Sequence, residues 1–387
     1  MTHARQDLPA QSVDPYRKFR VENFPQTGLA SYIPTDGVEV KFLDGCNRSC
    51  IFCVNEDHIG KRLNPLDTGR FVRSLFDWID DPDEPEKPEA VYGTGGEPLM
   101  ALDLVEDVFR PLGERGVTTR LVTNGTLLDE NRIARLVDMR LSGVKVTYNT
   151  TDSARLMALM KGSHDGDAER LLHNIALAKQ AGLWVFVRIG LGRHNHDEAV
   201  KIYRIMRDLG VDVVQIKPWI PSGLAAKNQG ELSLSPARLF DVFMHIAEEL
   251  YEELETGEGP ELTVSCYPPA RELGFVVKDC ANVAKIYCEP CGHALVCNFS
   301  DEYLGSWYPE DGGLLACVRR RREVYDQIMD DHGVTSCPAR MNWSTPTSVV
   351  NPAPNWKPAV DDDAPPAPPA PSDGRTFIAL DSLRVGG

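Results

Sequence analysis

The sequence predicts an α/β fold in which helices cover a parallel β-sheet. Between residues 38 and about 220, short runs rich in β-branched residues alternate with longer amphipathic segments. A strand, a helix and a second strand repeated in this order form parallel pairs with right-handed crossovers, in an open sheet or a closed barrel. In both arrangements, ligands bind at the carboxyl ends of the strands.

The predicted elements alternate in a regular order. The six strands are predicted at 38–42, 90–92, 119–123, 144–148, 184–189 and 213–217. The helices between them are predicted at 67–79, 101–115, 129–140, 166–181 and 196–209. Apolar residues at helical spacing over 234–254 predict a connecting helix after the last of these strands.

Composition and charge exclude several classes of protein. The chain has 387 residues, of which 42% are hydrophobic and 25% charged, as expected for a folded protein of two or three domains. Its net charge of −16 argues against binding of nucleic acid or anionic lipid, because both would be repelled. No long apolar run and no signal peptide are present, which predicts a cytoplasmic protein without a membrane segment.

The distribution of the ten cysteines predicts two separate metal-binding regions. A reducing compartment disfavours disulfides, so metal or redox chemistry is the better interpretation. The first region contains Cys46, Cys50 and Cys53. After a gap of 212 positions, the second contains Cys266, Cys280, Cys288, Cys291, Cys297, Cys317 and Cys337.

The first cysteine region follows the first predicted strand, and therefore lies at the end of the sheet where ligands bind. Three thiolates on one loop can hold three irons of a cubane cluster and leave the fourth iron open to a ligand. The alternative is a zinc site in which His58 supplies a fourth ligand.

Two motifs resemble the radical S-adenosylmethionine superfamily. The first is the Cys-x3-Cys-x2-Cys spacing with an aromatic residue, Phe52, before the third cysteine. The second is Gly95-Gly96-Glu97-Pro98 after the second strand, which is similar to the turn that binds the methionine ammonium of the cofactor in that family. Glycines allow a close approach of the backbone, and a carboxylate pairs with an ammonium.

The resemblance extends over residues 38 to about 225 and implies a partial (β/α)6 barrel with a [4Fe-4S] cluster that binds S-adenosyl-L-methionine. It also suggests three further cofactor contacts. Asn124 lies in an Asn-Gly turn after the third strand, and Asn149 lies where many relatives carry Ser-x-Asp. Arg188 would pair with the cofactor carboxylate. The alternatives are a plain turn at Asn124 and an ion pair within the protein at Arg188.

The second cysteine region resembles a SPASM domain, which holds one or two auxiliary [4Fe-4S] clusters. Its core is Cys-x2-Cys-x5-Cys, but Asp301 stands where the family pattern has another cysteine. The resemblance implies an outer cluster on Cys288, Cys291, Cys297 and Cys317. It implies an inner cluster on Cys266 and Cys280, completed by Asp301 or Cys337. The alternatives are a single-cluster domain and a zinc ribbon of Cys288, Cys291, His293 and Cys297.

These interpretations divide the chain into five parts. They are an N-terminal extension (1–37), the barrel (38–230), a connecting helix (231–262), the cysteine-rich domain (263–345) and a disordered tail rich in proline and aspartate (346–387). The cysteine-rich domain is expected to be shaped by metal rather than by a large apolar core.

The resemblance implies reductive cleavage of S-adenosylmethionine to a 5′-deoxyadenosyl radical, which abstracts hydrogen from an unactivated carbon. The expected substrate is a peptide or a small natural product such as an aminoglycoside-type sugar, and the expected electron donor is a flavodoxin or ferredoxin. An auxiliary cluster would allow net oxidation or crosslinking, whereas hydrogen return from Cys337 would give epimerisation. The alternative is a non-catalytic iron-sulfur or zinc protein, against which the Gly-Gly-Glu-Pro motif argues.

Overall fold

The computed structural model describes residues 35, 37–54, 64–257, 259–267, 270, 276–278, 285–296, 298 and 303–332. Several predictions therefore lie outside the described residues. They concern the extension up to residue 34, the tail at 346–387 and the candidate ligands His58, Cys280, Cys297, Asp301 and Cys337.

The described chain contains thirteen strands, eleven α-helices and two short 3₁₀ helices, the latter at Pro98–Ala101 and Pro309–Asp311. The strands are β1 (Gly37–Lys41), β2 (Ser49–Cys50), β3 (Ala90–Thr94), β4 (Thr118–Thr123), β5 (Gly143–Thr147), β6 (Met160–Lys161), β7 (Trp184–Leu191), β8 (Val213–Pro218), β9 (Glu261–Ser265), β10 (Val276–Lys278), β11 (Lys285–Cys288), β12 (His293–Leu295) and β13 (Tyr303–Ser306). The helices are α1 (Thr68–Asp80), α2 (Leu102–Glu114), α3 (Glu130–Asp138), α4 (Ser153–Leu159), α5 (Asp167–Gln180), α6 (Ala199–Asp208), α7 (Leu224–Lys227), α8 (Gln229–Leu232), α9 (Pro236–Glu249), α10 (Tyr251–Thr256) and α11 (Gly313–His332).

Eleven strands form one sheet in the order β10-β9-β8-β7-β5-β4-β3-β1-β11-β12-β13. In this sheet every pair from β10 to β11 is parallel, and the pairs β11–β12 and β12–β13 are antiparallel. The six predicted strands are β1, β3, β4, β5, β7 and β8, and they lie side by side. The predicted α/β class with a mostly parallel sheet is therefore confirmed.

One face of the central strands supplies the apolar core. Along β4, residues alternate between fully buried positions and half-buried ones, as expected when one face packs against helices. The corresponding valines on β1, β3, β5 and β7, including Val40, Val91, Val144 and Val187, are fully buried. The other face of these strands carries polar and aromatic side chains and lines the interior of the partial barrel.

Capping residues explain where several helices begin. The side chains of Asp67, Asp129, Asp152 and Ser235 accept hydrogen bonds from backbone N–H groups in the first turns of α1, α3, α4 and α9. The predicted helix at 234–254 is divided at Leu250 into α9 and α10.

The cysteine-rich region differs from its prediction. Its strands continue the barrel sheet, because β9 pairs with β8 and β11 pairs with β1. Helix α11 packs on α1, where the backbone N–H of Leu314 donates to Ser74 Oγ at 2.8 Å. The fully buried Trp307 ring lies 5.6 Å from Phe71. Apolar packing therefore contributes to the shape of this region, which was expected to depend on metal.

Helix α11 was missed because its buried stripe is interrupted by a charge. Leu314, Val318 and Val324 lie at helical spacing, but Arg321 occupies the same stripe within a run of four arginines. Arg321 is 1% exposed and donates to Thr35 Oγ1 at 3.0 Å. Such a partner, 286 residues away in the chain, is invisible to local periodicity. None of the described helices has the length and apolarity that crossing a membrane requires.

Replacing Trp307 by alanine should lower the free energy of unfolding by about 3–5 kcal/mol, the usual cost of removing a buried large aromatic side chain. The substitution also removes the hydrogen bond from Trp307 Nε1 to the Glu289 carbonyl at 2.7 Å. Urea unfolding followed by circular dichroism measures this loss. Tyr303→Ala is the control, because Tyr303 is 51% exposed and lies in the same region. An equal effect of both substitutions would contradict the packing described here.

Candidate functional site

The loop after β1 carries Cys46, Cys50 and Cys53 and is held in place by its neighbours. Its residues Ser49–Cys50 form β2, which pairs with β6. The carbonyl of Cys53 accepts a hydrogen bond from the backbone N–H of Leu224 at 2.8 Å. Backbone hydrogen bonds thus fix this loop, and its Ile51 side chain is buried in the apolar core.

The two glycines after β3 lie directly against this cysteine loop. The backbone N–H of Gly96 donates to the Leu43 carbonyl, and that of Glu97 to the Gly45 carbonyl, both at 2.9 Å. A Cβ atom at Gly96 would lie 1.8 Å from the Gly45 carbonyl oxygen. Gly95 has φ +151°, and a Cβ there would lie 2.7 Å from the Leu43 oxygen. A side chain at residue 95 or 96 would overlap the cysteine loop. The contact between the two loops is thus sufficient by itself to require both glycines.

The Glu97 carboxylate is completely buried and joins β3 to the end of β4. It accepts hydrogen bonds from Thr123 Oγ1 at 2.7 Å, from the Asn124 N–H at 2.8 Å and from the Leu99 N–H at 3.1 Å. Burial raises the pKa of Glu97, and these three hydrogen bonds oppose the rise. A carboxylate has roughly four acceptor positions, so about one remains for a ligand. The expected pairing of Glu97 with an ammonium remains a prediction.

Asn124 contacts the cysteine loop directly. Its Nδ2 donates to Asn47 Oδ1 at 2.9 Å and lies 3.8 Å from Cys46 Sγ. Its Oδ1 accepts from the hydroxyl of Thr126 at 2.6 Å, which fixes the orientation of the amide. Asn47 and Thr126 were not singled out in the sequence. The Asn-Gly turn thus positions a donor beside a cysteine sulfur, and the contact of Asn124 with the cofactor stays a prediction.

The three thiols of the loop lie close enough to affect one another. Burial, then Glu97, raises the pKa of Cys46 to about 12. Burial, then Cys46 and Cys53, raises the pKa of Cys50. Such thiols are protonated at neutral pH unless a metal cation replaces the protons. Three thiols on one loop are a donor set that a metal ion or an iron-sulfur cluster can use.

A cavity of about 150 Å³ opens between the cysteine loop and the carboxyl ends of β3, β4 and β5. Its walls are formed by the three thiols, the glycine pair and neighbouring side chains: Cys46, Arg48, Ser49, Cys50, Phe52, Cys53, Thr94, Gly95, Gly96, Val122, Thr123, Asn124, Thr147 and Met160. Thiols on one wall and glycine backbone on another are a suitable arrangement for the cluster and the amino acid end of the cofactor.

Phe52 lines this cavity with one face covered. Its ring stacks on Trp219 with a centroid distance of 4.4 Å. Trp219 in turn lies against Gly190, where a Cβ would come within 2.1 Å of the indole ring. The aromatic residue before the third cysteine is thus held by a stack from the end of β8.

Asn149 and Arg188 do not line the cavity. Asn149 is buried, its Oδ1 accepts from the Gly190 N–H at 2.8 Å, and its Nδ2 has no hydrogen-bond partner among the described residues. Arg188 is half-buried in the barrel interior and donates from Nε to Gln215 Oε1 at 3.1 Å. In the described part of the chain Arg188 forms no ion pair, so the protein carboxylate expected as an alternative partner is not found there.

Sequence reasoning missed several polar residues of the barrel interior. Glu39, Tyr92, Arg120 and Lys145 are half-buried positions on β1, β3, β4 and β5. Each is flanked by residues that are fully buried or nearly so. A charged residue that alternates with buried ones in a predicted strand was the signal that could have identified them.

Part of the second cysteine region is brought together next to the sheet. Cys288 and Cys317 are buried, and burial followed by the neighbouring Cys317 raises the pKa of Cys288. Cys291 is exposed, and Cys317 and Cys291 both contribute to the raised pKa of Tyr303 after burial. Three of the four cysteines assigned to the outer cluster therefore lie in one neighbourhood.

The same neighbourhood bears on the zinc alternative. The ligand atoms of Glu289, Cys291 and His293 all lie within 4.8 Å of one another.

Cys266, by contrast, follows β9 and has a left-handed backbone conformation with φ 59°, which is unusual for a residue other than glycine. Cys266 lies within electrostatic range of Arg188, on the barrel side.

A larger groove of about 1120 Å³ lies on the outer surface beside α6 and α10. Its arginines are already paired: Arg204 with Glu253 at 2.7 Å and Arg207 with Asp208 at 3.0 Å. The groove contains no cysteine or histidine, so the chemistry points to the smaller cavity at the cysteine loop.

Comparison with known proteins identifies the domain. Residues 40–216 match the family model of the Radical SAM superfamily. The chain therefore contains a radical SAM domain. Enzymes of this superfamily use a [4Fe-4S] cluster and S-adenosylmethionine.

Two curated relatives are GTP 3′,8-cyclases. The chain is 26% identical over 269 residues to the GTP 3′,8-cyclase of Bradyrhizobium diazoefficiens, which covers 67% of this chain and 73% of that protein. It is 33% identical over 153 residues to the probable GTP 3′,8-cyclase of Halobacterium salinarum, covering 38% of this chain and 40% of that protein. The chain thus spans less than half of the archaeal relative.

Solved structures show the same fold at low sequence identity. Streptococcus suis SuiB bound to precursor peptide SuiA has a TM-score of 0.54 and 14% identity, covering 68% of this chain and 60% of SuiB. The enzyme anSMEcpe with bound AdoMet and Kp18Cys peptide has a TM-score of 0.59 and 16% identity, covering 82% of this chain and 92% of that chain. These likenesses concern the fold.

Replacing Gly96 by alanine should reduce reductive cleavage of S-adenosylmethionine by about 100-fold, because displacement of a site by about 1 Å has effects of this size. The new methyl group would overlap the Gly45 carbonyl, so the two loops must separate. The measurement is 5′-deoxyadenosine formed with dithionite under anaerobic conditions. Gly69→Ala in α1 is the matched control, since the nearest atom to a Cβ there is 3.7 Å away. Wild-type yield from the Gly96 variant would contradict the contact.

Proposed function

We propose that Cys46, Cys50 and Cys53 bind the [4Fe-4S] cluster and that the adjoining cavity binds S-adenosylmethionine. The observation that carries the proposal is the cavity itself, which three thiols and the Gly95-Gly96 backbone line together at the carboxyl ends of parallel strands. When bound, cluster and cofactor supply a 5′-deoxyadenosyl radical that removes hydrogen from an unactivated carbon.

The chain's own residues would position the cofactor. The Gly95-Gly96 backbone lines the cavity beside the cysteine loop and would contact the amino acid end, and Glu97 offers its remaining acceptor position to the ammonium. Asn124 Nδ2 lies 3.8 Å from Cys46 Sγ and would donate a hydrogen bond to this sulfur when it binds the cluster. Phe52 and Trp219 form an apolar wall that limits water. Contacts of the cofactor with Asn149 and Arg188 are also proposed, with Arg188 as the partner of its carboxylate.

We propose that the second cysteine region binds one or two auxiliary [4Fe-4S] clusters in a SPASM-like domain. The clustering of Cys288, Cys291 and Cys317 supports a common site, and the separate position of Cys266 supports a second one. The zinc alternative is supported by the Glu289, Cys291 and His293 set. The auxiliary clusters would assist net oxidation or crosslinking; the alternative is epimerisation with hydrogen return from Cys337, which lies outside the described residues.

The proposed substrate is a peptide or a small natural product, and the proposed electron donor is a flavodoxin or ferredoxin. Structural neighbours crystallised with peptides support the first class. Relatives named as GTP 3′,8-cyclases support the second.

Replacement of Cys46, Cys50 and Cys53 together by alanine should abolish dithionite-dependent formation of 5′-deoxyadenosine, because three thiolates are needed to hold the cubane. Chromatography of the quenched reaction measures the product. A circular dichroism spectrum like that of the wild-type protein is the control for folding. Continued production of deoxyadenosine by this triple variant would rule out the assignment.

The same triple variant tests the auxiliary region. After anaerobic reconstitution it should retain about four to eight irons, corresponding to one or two four-iron clusters. Elemental analysis of iron and zinc is the measurement. Retention of one zinc and no iron would establish the zinc ribbon instead.

A further inference from the structure

The cysteine cavity opens onto the polar interior of the partial barrel. Three residues that line it, Thr94, Val122 and Thr147, are half-buried inward-facing positions of β3, β4 and β5. Because side chains alternate along a strand, the next inward-facing residue lies two positions earlier, about 7 Å deeper. Alternation along each strand therefore gives the residues one step below the cavity.

That deeper layer is cationic. It contains Tyr92, Arg120 and Lys145. These residues lie two positions before Thr94, Val122 and Thr147 on the same strands. The Arg120 guanidinium lies 3.9 Å from the centroid of the Trp184 ring. Lys145 Nζ lies 4.4 Å from the Tyr92 ring centroid. Aromatic faces attract cations but carry no net charge, so this packing orients the two cations without neutralising them.

Two further cations, Lys285 on β11 and Arg188 on β7, lie near this layer. On β11, Lys285 Nζ lies 3.7 Å from the centroid of the Tyr92 ring. Lys145 lies within electrostatic range of the positive charges of Lys285, Arg188 and Arg120. The carboxylate of Glu39 is also in range and acts in the opposite direction on the pKa of Lys145. Burial and these like charges lower the pKa of Lys145 well below its ordinary value. Among the described residues, Lys145, Arg120 and Arg188 thus lie near one carboxylate, Glu39, in a chain whose net charge is −16.

Protein carboxylates form no ion pair with Arg120 or Lys145 within the described ranges. Arg120, Lys145 and Arg188 form no ion pair there, and Arg120 Nε is buried without a hydrogen-bond partner. Because Arg188 also lies within electrostatic range of Cys266, we rely on Arg120 and Lys145 alone. An unpaired buried charge is costly, and a bound anion would remove that cost for Arg120, which keeps its charge. The same anion would favour the protonated form of Lys145, whose pKa is lowered when no anion is bound.

We propose that the substrate is a small molecule that carries a compact group of two or more negative charges, and that Arg120 and Lys145 bind this group. The inference rests on the proposed function, because it places the substrate between this layer and the proposed cofactor cavity. A diphosphate or a cluster of carboxylates supplies this charge, and the arginine fork and the lysine ammonium bind either one. A single aspartate or glutamate side chain of a peptide would neutralise only one cation.

The test is titration calorimetry on the full-length, anaerobically reconstituted protein at low ionic strength. Saturating S-adenosylmethionine keeps the probes out of the cofactor cavity. The probes are pyrophosphate, citrate and acetate. Pyrophosphate or citrate should bind at least about tenfold more tightly than acetate, since charged hydrogen bonds of this kind differ by such factors. Tighter binding of pyrophosphate indicates a phosphorylated substrate, and tighter binding of citrate a polycarboxylate.

Arg120→Gln should weaken binding of the preferred polyanion at least about tenfold. Arg73→Gln is the matched control, because it removes the same charge from an exposed position of α1 and should change affinity by no more than about twofold. Lys145→Met is the second variant, with the same expected loss, and Arg120→Lys should retain most of the affinity. Iron content and thermal unfolding identify any variant that fails to fold.

The inference is overturned if the wild-type protein binds neither polyanion, if acetate binds as tightly, or if folded Arg120→Gln and Lys145→Met proteins bind like wild type. Deoxyadenosine formation by the wild-type protein is measured separately. A protein that forms deoxyadenosine but binds no polyanion refutes this inference and leaves the proposed function intact. A protein that forms no deoxyadenosine refutes the proposed function.

Discussion

The candidate site depends on the close approach of two loops, in which the backbone of Gly96 lies against the carbonyl of Gly45. Backbone hydrogen bonds to the carbonyls of Leu43 and Gly45 fix the position of the cysteine loop relative to β3. The buried Glu97 carboxylate extends this connection to Asn124 at the end of β4. A side chain at residue 96 would separate the loops, and the cavity between them would lose its shape.

The two faces of the sheet serve different purposes. Residues such as Val91, Leu121 and Val144 are fully buried on the outer face and provide apolar burial beneath the helices. The inner face carries Arg120 and Lys145, whose burial opposes folding unless a ligand or solvent compensates their charge. Stability therefore comes from the outer face, which leaves the inner face available for binding.

Strand β1 links the two cysteine regions. It leads directly into the loop that begins at Cys46, and in the parallel pairing with β11 its Val40 is opposite Cys288. Helix α11 holds Cys317 near Cys288 through packing on α1, with Trp307 against Phe71. The second region is thus partly ordered by apolar contacts with the barrel, and a metal would complete an arrangement that the protein already favours.

Local patterns in the sequence determined the six central strands, five of the helices between them, the cysteine triad and the glycine turn, because each is encoded within a few neighbouring residues. Tertiary structure alone decided which side chains meet. Arg120, Lys145 and Lys285 come from strands far apart in the chain, and α11 is completed by Arg321 reaching Thr35. Strand order and register set these contacts, and they arise from the free energy of packing the whole chain, which no short window of sequence contains.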